Sequence, residues 1–393
     1  MTLQKPVVLH IIAGFALAGP LGGIERFGVQ LAQAFDQTRV TPIVCGLWDF
    51  GTDYEQKWVR HLKAHGISAF IAAPWQEAHP YRAFWQAAQG IIRQVQYPID
   101  IIHSHYEFGD IAAVLLKHRL GAKHLLRTVH NEREWPKRWL RRLILTNLFW
   151  VLLFDREFGV SRQVVMNLNA RPLARLLRKH SIVAYNSVDL ARFQQSLYTR
   201  EQVRAMWGIP CDARLLISIG RLTEQKGYRF LLEAMHHVKR KRHDVHLVLI
   251  GTGPLEIELR CLANKLNLGA SVHFAGRRLD VEHLLPHFDL FISSSLWEGL
   301  PTVILEAMAA KVPVIGTAVS GTSELIEHGR TGLLIPPGDP EQLAEAIIYM
   351  LDHPDVMQRM IQASYEVVKT RFSIEVVARQ YERTYEQLLY GKI

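Results

Sequence analysis

The sequence predicts an α/β protein made of two doubly wound domains, and three observations carry that expectation. The chain has 393 residues, 49% of them hydrophobic, too many for one ordinary domain and enough to bury two sizeable cores. Short β-branched runs alternate with longer stretches of helical periodicity, the pattern of parallel sheets with crossover helices. The series also occurs twice. VVLHII, TPIVCGL, AFIAA, DIIHSH, KHLLRTV and SIVAYN fill the first half, and ARLLISIG, VHLVLIG, SVHFAG, DLFISS, VPVIGT and TGLLIP the second.

The break between the series falls near residues 190–212, where Pro210 interrupts the pattern. This sets an N-terminal domain over 1–193 and a C-terminal domain over 194–372, two Rossmann-like sheets facing each other across a cleft. The segment FSIEVVARQYERTYEQLLY has apolar residues at helical spacing, so 373–393 is a candidate closing helix that packs back on the first domain. Ligands of such sheets bind beyond the carboxyl ends of the strands.

Composition narrows the function classes. Cys45, Cys211 and Cys261 are few, odd in number and far apart, which gives neither a disulfide framework nor a metal-ligand spacing and points to a reducing cytoplasm. The opening Lys5 and the apolar run after it have the outline of a secretion signal. His10 and Gly14 interrupt that run, and it leads into GPLGGIERF, which suits a strand, a Gly-rich loop and a helix start better. No apolar run reaches the length of about 18 residues that a spanning helix needs. The net charge is +9, and residues 1–193 hold 24 Lys and Arg against 14 Asp and Glu, leaving 46 − 24 = 22 against 37 − 14 = 23 for the rest. The whole positive excess therefore lies in the first half, a field suited to an anionic membrane or substrate; nucleic acid is set aside because no recognised binding motif accompanies it.

The excess is densest in WPKRWLRRLILTNLFWVLLF, where Lys137, Arg138, Arg141 and Arg142 alternate with Trp135, Trp139 and Leu140. Cations beside tryptophans suit a helix lying in a lipid interface, where the cations meet phosphates and the rings sit among headgroups. The competing expectation is that Leu143 to Phe154 is a core helix with solvated first turns.

The segment richest in chemistry is SLWEGLPTVILEAMAAKVPVIGT. Glu298 stands in a Gly/Pro loop after a strand, and Glu306 eight positions later in the helix that begins near Thr302. Helical side chains lean towards the N-terminus, so the two carboxylates can converge. The helix start offers N–H groups and a positive dipole end to an anion such as a diphosphate. In ISIGRLTEQKG, Arg221 and Lys226 follow another strand, a pair suited to clamp phosphate by a planar fork and a point charge. In GPLGGIERF, Gly22 and Gly23 let backbone approach a ligand closely before a helix starts.

Taken together, EGLPTVILEA, GRLTEQKG, GGIER, the TVH of residues 128–130 and YNSVDLARF resemble family 4 of the glycosyltransferases, which have the GT-B fold. The resemblance implies that Arg221 and Lys226 hold the diphosphate of a nucleotide sugar and Glu306 the ribose hydroxyls. By the same resemblance Glu298, Gly299, Leu300, Pro301 and Thr302 line the donor sugar and phosphate, His130 touches the sugar near the reacting carbon, Gly22 and Gly23 meet the diphosphate, and Arg278 stands near the base. Lys311 and Ser187 replace glycines that the family usually has, which bears on local geometry.

Two other patterns in the sequence point elsewhere. His103, His105 and His130 could meet at strand ends as a metal site, but the usual Cys or carboxylate ligand spacing is missing. GTGPLEIEL carries two glycines of a dinucleotide fingerprint, with Glu256 in place of the third. The resulting expectation is a retaining glycosyltransferase with no metal cofactor. It moves a hexose-type sugar from a UDP- or GDP-sugar to a lipid-linked or saccharide acceptor in polysaccharide or glycolipid synthesis, at the inner face of the cytoplasmic membrane. The alternatives are a non-catalytic nucleotide-sugar-binding protein and an epimerase or phosphorylase on the same frame.

Overall fold

The computed structural model describes residues 5–15, 23–130 and 142–391. The chain divides into two compact units, 1–186 with 374–393, and 187–373.

Unit 1 is built on seven parallel strands, β1 Val7–Ile12, β2 Thr41–Asp49, β3 Ser68–Pro74, β4 Ile101–Ser104, β5 His124–Val129, β6 Arg156–Gly159 and β7 Ile182–Val183. Their order is β3-β2-β1-β4-β5-β6-β7. The chain winds outward from β1 in one direction and then from β4 in the other, so β1 and β4 flank the switch point, with His10 opposite His103. Alternate residues serve opposite layers. Leu9, Ile11, Ile43 and Cys45 pack towards Ala87 and Ile91 of the helix Pro80–Gln94, while Val8, Ile101 and Leu126 pack towards Phe27 and Leu31 of the helix Gly23–Ala34.

The closing helix, Ile374–Tyr390, belongs to this unit. Val377, Tyr381 and Tyr385 enter the second core layer. Polar ties hold it as well: Glu382 accepts from the Asp36 N–H at 2.7 Å, and Arg39 forks onto Glu386 at 2.7 and 2.8 Å. Strand β6 is absent from the sequence reading because Arg156 and Glu157 look like surface residues. Glu157 is in fact buried, between Arg127 and Arg171.

The apolar run after residue 142 has solvated first turns and joins the core through its last turn, with Leu145 packed against the same core, as the competing expectation has it in part. It is helical over Arg142–Phe149 and Trp150–Leu153, yet only Trp150, Val151 and Phe154 are buried, whereas Leu143, Ile144, Leu148 and Leu152 are exposed. Trp135, Lys137, Arg138, Trp139, Leu140 and Arg141 lie outside the described residues. Among the described residues no helix is long and apolar enough to cross a membrane.

Unit 2 has six parallel strands, β8 Arg214–Ile219, β9 Val245–Ile250, β10 Val272–Gly276, β11 Leu290–Ser293, β12 Val314–Thr317 and β13 Leu333–Ile335, in the order β10-β9-β8-β11-β12-β13. The switch point here lies between β8 and β11. Leu247, Leu249 and Ile292 pack with Leu231 and Met235 of the helix Tyr228–Lys241 and with Ile347 and Met350 of the helix Pro340–Asp352.

Candidate active site

In unit 2 the loops leaving β8 and β11 part at the switch point, so side chains on both border the crevice where ligands of such sheets bind. Gly227 makes the first loop possible. Its φ is 60°, and a Cβ there would stand 2.1 Å from the carbonyl oxygen of Ser294, so only glycine lets the β8 loop press onto the end of β11. That contact delivers Lys226 to Glu298, Nζ to Oε1 at 2.5 Å. Glu298 is buried and also accepts from the Ser295 hydroxyl at 2.6 Å and from the Gln225 amide at 3.4 Å. The two charges proposed from sequence for separate tasks are thus a bonded pair.

The segment Gly299–Pro301 follows, with Leu300 and Pro301 buried, and the helix Thr302–Ala309 begins at an N-cap Pro301 whose side chain makes no cap bond. Proline has no side-chain acceptor, so the positive end of this helix is left for another group. Glu306 is half-buried on the same helix. Gly321 seats the loop from the other side, since a Cβ there would stand 2.3 Å from the Gly299 oxygen, and the Ser320 hydroxyl donates to the Glu298 carbonyl at 3.1 Å. Arg221 is exposed beside this cluster in sequence. Arg278 has a local partner: its guanidinium forks onto Asp280 at 2.9 and 2.6 Å, and the Tyr198 hydroxyl donates to the same carboxylate at 2.8 Å.

In unit 1, His130 follows β5 and is buried against the Phe27 ring, with centroids 5.5 Å apart. Burial holds its pKa down at about 4, opposed in part by a side-chain hydrogen bond with Asn186. The imidazole is therefore neutral at physiological pH, and its Nε2 is buried with no hydrogen-bond partner among the described residues. His103 and His105 are joined by His10 instead of by His130. The His10 and His105 rings share a 3.1 Å bond, and burial pushes His10 down to about 3. These three could bring ligand atoms within 4.8 Å of one another. His103 already bonds Tyr385 at 2.7 Å and Thr128 at 2.8 Å through its two nitrogens, so the cluster works as a polar seam between sheet and closing helix. Gly23 is exposed at the start of its helix; Gly22 lies outside the described residues.

Comparison with known proteins adds the decisive observation. The model of the family described as Glycosyltransferase Family 4 matches residues 21–192, and that of Glycosyl transferases group 1 matches residues 199–367. TuaC of Bacillus subtilis (strain 168), a glycosyltransferase named for teichuronic acid biosynthesis, is 32% identical over 79% of this chain and 76% of its own length. The chain belongs to glycosyltransferase family 4. Another relative, the N-acetyl-alpha-D-glucosaminyl L-malate synthase of Bacillus anthracis, is 28% identical over 74% of this chain and 75% of its own length. HepE of Anabaena, solved in complex with UDP and glucose, superposes with a TM-score of 0.79 at 19% identity over 98% of this chain and 100% of its own. The fold is GT-B, and the protein is a glycosyltransferase.

The two departures from the family-4 pattern have different outcomes. Lys311 does take a left-handed conformation, φ 59°, where glycine would be relaxed. The strain of about 1 kcal/mol is offset by its ammonium lying 4.9 Å from the centre of the Tyr365 ring. Ser187 has no positive φ, so glycine's freedom is not needed there. The half-fingerprint GTGPLEIEL also finds a local cause, because Gly251 and Gly253 are where this loop crosses the β8 loop: added Cβ atoms would stand 2.0 Å from the Gly220 oxygen and 2.3 Å from the Leu222 oxygen. Gln225, Ser295, Ser320 and Asn186 were missed by sequence reasoning. The signal for Asn186 was its place in YNSVDLARF; the other three carry none beyond neighbourhood to Lys226, Glu298 and Gly321.

Proposed function

We propose that this family-4 glycosyltransferase is a retaining enzyme that transfers a hexose from a uridine-diphosphate sugar to a saccharide acceptor, in its setting a lipid-linked one, without a metal ion. The observation that carries the reading is the Lys226–Glu298 pair at the switch point of unit 2, in the loop leading to a helix start with no side-chain cap. An arriving diphosphate meets the ammonium of Lys226, the guanidinium of Arg221 and the helix dipole, and Glu298 stays beside Lys226 to fix its position and meet the sugar hydroxyls. Glu306 takes the ribose and the neutral His130 a sugar hydroxyl. The UDP and glucose bound to HepE of Anabaena favour uridine over guanosine.

In the transfer, the acceptor oxygen bonds to the anomeric carbon on the face from which the phosphate oxygen leaves. The carbon–oxygen bond to the diphosphate breaks with its electron pair going to the phosphate, which takes the acceptor proton. The cations stabilise the charge that develops on this leaving group.

The membrane setting is supported by exposed Leu143, Ile144, Leu148 and Leu152, and by a second apolar pair, Leu176 and Leu177, at the end of the helix Pro172–Leu176, which the Arg171–Thr146 bond at 2.9 Å ties to the first. Arg175, Arg178 and Lys179 accompany that pair, the mixture an anionic leaflet attracts. The deciding experiment is calorimetry of UDP and GDP binding, followed by an assay of nucleotide release from a panel of sugars in excess chelator. Tight UDP binding with chelator-resistant turnover supports the reading; strict dependence on a divalent ion, or no binding of either nucleotide, contradicts it.

A further inference from the structure

Strand β11 and the loop after it are closed to solvent almost throughout. Over residues 290–301 every residue is buried or half-buried except Trp297, which is 49% exposed. The exception is a large aromatic side chain, and it stands next to Glu298, whose carboxylate is turned inward onto Lys226, Ser295 and Gln225.

A loose loop does not account for this exposure. The Leu296 N–H donates to the Gln225 carbonyl at 2.8 Å, and the Gln225 amide donates to the Trp297 carbonyl at 3.1 Å. On either side, the Thr317 hydroxyl donates to the Ser295 carbonyl and the Ser320 hydroxyl to the Glu298 carbonyl. These bonds fix the backbone of residues 295–298. The indole itself stacks on no other ring, and its N–H has no partner among the described residues.

Single exposed hydrophobic residues are ordinary on a protein surface; the place and rigidity of this one give it a use. In the donor reading above, Lys226 and the start of the helix Thr302–Ala309 meet the diphosphate and Glu298 the sugar, on the inner side of the loop. An acceptor reaches that sugar from solvent, and the solvent side of the loop is the Trp297 ring. A pyranose carries what such a ring binds. One face of C–H groups packs on the aromatic face, and a hydroxyl at the rim accepts from the indole N–H. Because the backbone is already fixed, little ordering cost is left for the bound state.

We infer that Trp297 is the stacking platform for a pyranose ring of the acceptor, and that it selects saccharides over open-chain polyols and hydroxy acids, which have no such face. The inference rests on the donor placement proposed above and names the acceptor class.

Two measurements on the full chain test it. In protein labelled with 15N-tryptophan, the indole N–H signal that disappears in Trp297→Phe belongs to Trp297. Titration with methyl hexosides and disaccharides, with and without UDP, should shift that signal; glycerol and L-malate should leave it in place. Steady-state kinetics then compare variants, which should melt with wild type because the side chain lies outside the core. Trp297→Ala raises the acceptor KM by roughly tenfold or more, the usual effect of removing an aromatic stacking platform. Trp297→Phe keeps a ring face and loses the N–H, and raises it by roughly threefold. The nucleotide-sugar KM and the UDP affinity move by less than about twofold in both. An indole signal unmoved by saccharides, an acceptor KM unmoved in the folded variants, or a nucleotide-sugar KM that rises as much as the acceptor KM overturns the inference. Absence of UDP binding by calorimetry would instead overturn the donor reading, and the indole titration made without UDP still decides the role of Trp297.

Discussion

Replacing Lys226 by Met tests the site's stability and its affinity in one variant. The Lys226–Glu298 pair is unequally buried, with side-chain exposures of 19% and 6%, so the substitution removes a partly wetted cation and strands a carboxylate that has almost no access to water. Among the described residues Glu298 would keep the Ser295 hydroxyl and the Gln225 amide. Breaking a buried pair costs about 3–5 kcal/mol, and partial exposure of the lysine puts this case near 3. For a unit spanning residues 187–373 each kcal/mol is worth roughly 2–4 °C, so the melting temperature should fall by about 6–12 °C. The double variant Lys226→Met/Glu298→Gln removes the stranded charge and should recover to within about 1 kcal/mol of wild type. UDP affinity should not recover, because the ammonium that meets the diphosphate is gone in both; a loss of about 2–5 kcal/mol is the range for a desolvated charge contact. Scanning calorimetry reads the first quantity and titration calorimetry the second. A single variant that melts with wild type, or a double variant no more stable than the single, refutes the claim that the pair holds this loop together.

Other expectations follow from the same structure. The pKa of His10 lies at about 3 in the folded chain against 6.5 unfolded, so the unfolded state binds more protons below pH 6.5; the stability His10 contributes is fully present above that value and lost as pH falls, by about 2 kcal/mol at pH 5. His103, His105 and His130 shift in the same direction and steepen the loss, which urea titrations between pH 5 and 7 would read; a flat profile contradicts the buried neutral seam. Glu306→Gln should weaken binding of free UDP, whereas Glu298→Gln should act mainly on turnover, and calorimetry that finds nucleotide binding normal in both removes the ribose assignment. Wild-type protein should sediment with anionic vesicles at low salt, and Leu148→Ser/Leu152→Ser should not; equal sedimentation of the two returns this helix to another role.

The fold was legible because parallel strands buried on both faces read as continuous apolar runs, and every run quoted from the sequence became a strand. Strand β6 escaped for the opposite reason: the partners that make Glu157 a core residue, Arg127 and Arg171, come from elsewhere in the chain. The candidate residues could be picked out one by one, but their pairings could not. Glu298 and Lys226 stood out by spacing, but their contact depends on Gly227 folding the β8 loop onto Ser294, a long-range approach that no local pattern shows. His10 likewise joins His103 and His105 because β1 lies beside β4 in the sheet, although ninety-odd residues part them. Arg278 carries its place near the base on family resemblance alone, and its local pairing with Asp280 is a contact that the resemblance does not show.

The central claim is best tested by following one reaction by NMR in the presence of excess chelator, with an α-linked UDP-hexose as donor and a methyl hexoside as acceptor. The account predicts that UDP appears together with a new α-anomeric signal on the product. A β-anomeric product, or no turnover until a divalent ion is restored, would contradict it.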